Sequence, residues 1–282
     1  MRSEIQRRAV LSVVLLVVLA ACGGEGDHTN VLGSVSSAIG LGDAPPLAAE
    51  VVDVVVDASD GSPASVATIR ATLDVALPYV AARPGSELRL WALGLELSDT
   101  RMLASVTSRA PKRRGERARA LEAERFVSAS RALLLQAVAP IFDHPAKKQS
   151  PIAEGISRVA YSRVAASMRR RIIVITDARQ VGGPLKFDFE CARELPDADT
   201  FVTRLQEQAI LAPGTLAQAD VQFAYVALTA IPKRGCPVTL ARAQRIEQVW
   251  RAALTAAGAR SVEFTTDVPQ LAAEQETAGG AA

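Results

Sequence analysis

VVDVVVDASDGSP, residues 51–63, opens as a β-branched run, stops at the carboxylate of Asp57 and passes into turn-forming residues. A run this short, closed by Gly and Pro, reads as a strand buried on both faces. Val66, Ile69, Leu73, Leu77 and Val80 follow at helical spacing and form one apolar stripe. Farther along, Ile172-Ile173-Val174-Ile175-Thr176-Asp177 repeats the form, an apolar run that again ends in Asp at a loop.

The same alternation extends in both directions. Strands are predicted at Val51–Val56, Glu87–Leu95, Arg171–Thr176, Val221–Leu228 and Arg260–Thr265, with a weaker one at Met102–Thr107. Helical stripes fall at Ile152, Ile156, Val159 and Ala160, near Thr200–Ile210, near Thr239–Ala256 and over residues 116–139. Trp250 lies on its helix's apolar stripe and is assigned to the core in preference to ligand stacking. Strand and helix in alternation imply an α/β fold, a Rossmann-like three-layer sandwich with helices on both faces. In an open parallel sheet, ligands bind beyond the carboxyl ends of the strands where the winding reverses. If the reversal lies between these two strands, Asp57 and Asp177 flank the crevice.

Asp57-Ala58-Ser59-Asp60-Gly61 resembles the Asp-x-Ser-x-Ser element of the metal-ion-dependent adhesion site in von Willebrand factor A domains. Ser150-Pro151-Ile152-Ala153-Glu154-Gly155-Ile156 is similar to that family's Thr-Pro-led helix, with Ser150 in place of the metal-binding Thr, and Asp177 matches its final Asp. The likeness runs from about Glu50 to about Thr266, within a domain taken as residues 49–267. It implies a mostly parallel sheet with one antiparallel edge strand, and a Mg²⁺ site, with Mn²⁺ or Ca²⁺ as alternatives, formed by Asp57, Ser59, Ser150 and Asp177. A hard cation suits such an all-oxygen set. In the family an acidic group of a protein partner completes the shell, so the implied function is protein binding without a reaction.

Two features weigh against the ion. Gly61 stands where the family has its second Ser, so Asp60 or Ser62 would have to substitute. Asp60, Ser62 and Ser150 can also be read as helix N-caps, which need no metal; the protein would then be a metal-independent structural component. Alanine at Asp57 or Asp177 is expected to leave the fold largely intact. An enzyme using Asp57 as nucleophile, in the manner of aspartate-based phosphatases, would want a carboxylate where Ser59 stands. His28 and His144 have no Gly-x-Ser-x-Gly elbow to serve, so no serine hydrolase is expected, and the aspartate-nucleophile hydrolase stays as the lesser alternative.

The N-terminus is expected to direct export. Arg2, Arg7 and Arg8 precede 13 largely apolar residues, Ala9–Ala21, too few for a span of about 20. Leu19-Ala20-Ala21-Cys22 resembles the lipobox of bacterial lipoproteins, which implies a signal peptide over 1–21, lipidation of Cys22 and a membrane anchor in the cell envelope, on the periplasmic side or at the outer membrane. Residues 22–48 read as a flexible tether and 268–282 as a frayed tail. Removing residues 1–21 takes three of 32 basic and one of 30 acidic side chains, leaving 29 of each sign, a balance that argues against nucleic acid as partner. The basic cluster Lys112-Arg113-Arg114 reads as a solvated loop. Cys191 and Cys236 then remain as an even pair in an oxidising compartment and read as a disulfide. The long segment 178–199 is expected to cover the ion site.

Overall fold

The computed structural model describes residues 47–59, 64–94, 99–111, 115–142, 149–182, 185, 187–189, 195–226 and 239–271. They lie in the second of two compact units, Leu47–Ala282. The order is β1 (Glu50–Val56), α1 (Val66–Ala81), β2 (Glu87–Ala92), β3 (Arg101–Thr107), α2 (Glu116–Val138), α3 (Ile152–Ala160), β4 (Arg169–Ile175), β5 (Val181–Gly182), β6 (Phe187–Asp188), α4 (Ala198–Glu207), β7 (Ala219–Ala224), α5 (Leu240–Ala256) and β8 (Ser261–Phe264).

The main sheet runs β3-β2-β1-β4-β7-β8, all parallel except β3, which pairs antiparallel with β2 at one edge. With the β5–β6 hairpin set aside, this is the doubly wound order 3-2-1-4-5-6, and the winding reverses between β1 and β4. The architecture is thus the mixed α/β sandwich expected from the sequence, including its antiparallel edge.

Strand alternation sorts the core into two halves. Val52, Val54, Val56, Leu88, Leu90, Ile173 and Ile175 face α1 and the C-terminal part of α2. Val55, Ile172, Val174, Val221 and Phe223 face α3, α4 and α5, where Trp250 is fully buried against Phe201 and Phe223 at centroid distances of 5.5 and 5.3 Å. Trp250 is therefore core, as its stripe implied. Gly155 lets α3 approach the sheet closely, since a Cβ there would lie 2.0 Å from Leu93 Cδ1.

Several boundaries differ from the sequence reading. β7 ends at Ala224 because Tyr225 takes φ 62°, a left-handed conformation that cannot continue the ladder. β2 closes at Ala92, short of Leu95. Helix α1 is capped by Ser65, in a reciprocal box with Thr68, and not by Asp60 or Ser62, which lie outside the described residues. α4 and α5 start on Asp197 and Thr239, whose side chains accept from Thr200 N and Arg242 N. Among the described residues no helix is long and apolar enough to cross a membrane. Cys22, Cys191, Cys236, His28, His144 and Lys112–Arg114 also fall outside them.

Candidate functional site

Because β1 and β4 are in parallel register with Val56 opposite Ile175, the residues just past them, Asp57 and Asp177, leave the sheet side by side at the reversal. Asp57 is held at this edge by its own N–H, which donates to Ile175 O at 3.0 Å. Its carboxylate gathers donors from three segments. Oδ1 accepts from Ser59 N at 3.0 Å, while Oδ2 accepts from Ser150 Oγ at 2.5 Å and from Thr176 Oγ1 at 2.8 Å. Asp57, Ser150, Thr176 and Asp177 are all buried, and Ser59 is the partly exposed member.

This geometry decides the role of Ser150. Residue Pro151 is the N-cap of α3 and makes no side-chain capping bond. The Ser150 hydroxyl points to Asp57, so the helix-cap reading of Ser150 is corrected. Its donated proton leaves the oxygen's lone pairs for another acceptor role. The hairpin β5–β6 fixes Ser150 from the other side: Ser150 N donates to Val181 O at 2.9 Å and Val181 N to Ser150 O at 3.0 Å. The segment after Asp177 thus does contact the site, as a short hairpin pinned to the start of α3.

Asp177 is engaged differently. Its Oδ1 accepts from Arg179 N at 3.0 Å, and its Oδ2 lies 3.7 Å from Arg179 Nε, whose side chain is only 2% exposed. The intervening Ala178 has φ 61°, a strained conformation for a side chain with a Cβ, and its carbonyl accepts from Trp250 Nε1 at 2.8 Å. The aromatic core therefore holds the turn that presents Asp177.

Behind this layer, Gln180 bridges α3 and the hairpin. Its Oε1 accepts from Ala153 N and its Nε2 donates to Glu154 Oε2, both at 2.9 Å. Burial pushes the Glu154 carboxyl above the usual glutamate range, against smaller opposing contributions that include Gln180 and the Leu185 backbone. The folded state therefore keeps this proton at a pH where the unfolded chain has lost it, and stability falls as pH rises from the ordinary glutamate value through the raised one. Glu154→Gln is expected to flatten that slope in urea unfolding between pH 4 and pH 8; equal slopes in both proteins would sink the assignment.

Sequence reasoning named Asp57, Ser59, Ser150 and Asp177, and the described structure brings all four to one strand edge. It missed Thr176, Arg179, Gln180 and Glu154. Thr176 was legible as the polar residue just before Asp177; the others depend on how the hairpin folds back. The donor set is all oxygen and fits a hard cation in kind. Its two carboxylates are few: among the described residues no group of three or more His, Cys, Asp or Glu side chains could hold an ion, so hydroxyls must serve. A recess of about 770 Å³ lies elsewhere, between the end of α1, β3 and the start of α2, lined by Pro84, Val106, Ala123 and Phe126 among others. It shares no residue with this cluster.

No protein-family model matches the chain, and no curated protein matches it. Among solved structures, an aerotolerance-related membrane protein from Bacteroides fragilis, carrying multiple mutations to serine, aligns at 14% identity over 77% of this chain and 92% of its own, with a TM-score of 0.40. The conserved hypothetical protein BatB from Bacteroides thetaiotaomicron aligns at 12% identity over 77% and 91%, with a TM-score of 0.38. The human COPII-coat protein Sec24c aligns at 12% identity over 79% of this chain and 30% of its own, with a TM-score of 0.36. At these scores the likenesses add nothing to the fold already read from the strand order.

Proposed function

We propose that this chain is a protein-binding module, not an enzyme, anchored to the cell envelope through lipid on Cys22, that recognises an acidic group of a partner through a divalent cation at Asp57, Ser59, Ser150 and Asp177. The observation that carries the reading is the convergence on Asp57 Oδ2 of Ser150 Oγ at 2.5 Å and Thr176 Oγ1 at 2.8 Å, from two different elements. These contacts orient the carboxylate and spend the hydroxyl protons inward. Mg²⁺ or Mn²⁺ would supply a positive point to which a partner carboxylate can add.

The supporting chemistry is differential. Asp57 accepts three hydrogen bonds, which hold its carboxylate in one orientation at the strand edge. Ser59, the partly exposed member, marks the side from which an ion and a partner would enter. A metal-independent reading draws on one observation, the Arg179 guanidinium beside Asp177.

Calorimetric titration of the chain with Mg²⁺ and Mn²⁺ tests the proposal. Saturable binding is expected, and partner capture from envelope extracts should be lost with a chelator. Absence of binding in the folded wild type, both alone and with millimolar acetate present, would remove the ion from the reading. The anchor is tested separately: Cys22→Ser should move the protein from the membrane fraction to the soluble one, and unchanged fractionation would reject it.

A further inference from the structure

We infer that the end of the sheet where the parallel strands begin is a basic, membrane-facing base that binds the headgroups of an anionic phospholipid bilayer. Only the orientation of the domain rests on the proposed lipid at Cys22; the binding rests on charge. The described connections at this end are residues 47–49, 82–86, 108–111, 161–168, 208–218 and 257–260. They contain Arg83, Arg109, Arg163 and Arg260 and no Asp or Glu. The sequence joining Pro111 to Gly115 is Lys112-Arg113-Arg114, so no acid enters there either. At the opposite end of the strands stand Asp57, Asp99, Asp177 and Asp267.

Ion pairing decides which of these charges are available. Glu50, Glu87 and Asp220, near the starts of β1, β2 and β7, pair with Arg83, Arg89 and Arg260. Glu207 ends α4 in the same turn as Arg204. Arg109 and Arg163 are exposed and have no ion pair among the described residues. The first turns of α2 add the exposed Arg117 and Arg119, so four cations stand against Glu116. Arg109 and Arg119 line one recess and therefore share a corner. The chain enters the domain at this same end: Glu50 N donates to Ser86 Oγ at 2.9 Å and Ser108 N to Ser86 O at 2.8 Å, which sets the start of β1 near the Arg109 segment. A lipid on Cys22 therefore draws this end, and not the ion-site edge, toward the bilayer. Tyr161, 57% exposed in the connection that carries Arg163, suits the headgroup level with its apolar ring and polar tip. β1 spans about 23 Å, so Asp57 at its far end faces away from the membrane.

The test uses the full chain with Cys22→Ser, which carries no lipid, and sedimentation with vesicles of equal parts phosphatidylglycerol and phosphatidylcholine or of phosphatidylcholine alone. Binding is expected to the first vesicles and not to the second, and a molar salt wash, with a screening length of about 3 Å, should release it. Each Lys or Arg near an anionic surface strengthens binding about fivefold, so adding Arg109→Gln and Arg163→Gln together should weaken it about thirtyfold. The Lys versions of both residues should bind as the parent does, and so should Arg245→Gln on α5. Equal binding to both vesicle types, no binding to the anionic ones, or full binding by the double Gln variant overturns the inference. The anchor fails separately: if Cys22→Ser leaves the protein in the membrane fraction after the salt wash, the lipid reading falls while the vesicle result stands.

Discussion

Asp53→Ala is expected to cost about 3–5 kcal/mol of folding stability, the range for breaking a buried ion pair from one side. Asp53 lies within β1 with no solvent exposure, and its carboxylate accepts from Trp91 Nε1 on β2 at 2.7 Å and from Arg170 Nε on β4 at 2.8 Å. Arg170 in turn donates to the carbonyls of Val159, Ala160 and Ser162 at 2.5, 2.8 and 3.2 Å and to Ser162 Oγ at 2.6 Å. A single guanidinium thus ties three central strands to the C-terminal end of α3, where a cation also complements the helix carbonyls. Removing Asp53 strands a buried charge and an indole N–H together. Because α3 begins two residues after Ser150, the ion site should loosen with it. Urea unfolding of wild type and variant measures the cost; a loss below about 1 kcal/mol would mean that Arg170 finds water or another partner.

Asp57→Asn is expected to abolish Mn²⁺ binding in calorimetry while the protein stays folded. The amide removes the negative charge at the centre of the proposed ligand set but offers one oxygen to the Ser150 and Thr176 hydroxyls. Asp57→Ala should lose the ion and also about 2 kcal/mol of stability, because two hydroxyls and the Ser59 N–H lose their shared acceptor in a buried place. The expectation that alanine at this strand end leaves the fold largely intact did not count these three hydrogen bonds. The two substitutions separate charge from structure, which alanine alone cannot do. Wild-type ion affinity in Asp57→Asn would remove Asp57 from the site; equal stability of Asp57→Ala and wild type would mean that its three contacts are incidental.

The layers and the edge were legible in the local pattern of residues. The runs at 51–56 and 171–176 are β-branched, short and bounded, and strands of that kind must be covered on both faces by the helices that follow them. Strand ends face one edge, so Asp57 and Asp177 were legible as neighbours once the winding was taken to reverse between them. Period and propensity carry this information because they act within a few residues. They do not carry which donor a buried carboxylate finds. Ser150 read equally well as an N-cap or a ligand until the tertiary structure aimed its hydroxyl at Asp57, 93 positions away. Asp53 and Arg170, 117 positions apart, likewise meet only because β1 and β4 pair in one register. The β5–β6 hairpin escaped the sequence reading for a related reason, since two-residue strands have no period and are fixed by the Ser150–Val181 bridge. Arg179 beside Asp177 was in plain view as a sequence neighbour, yet its burial, and therefore its charge felt at short range, follows only from the strained turn at Ala178 and the aromatic core that holds it.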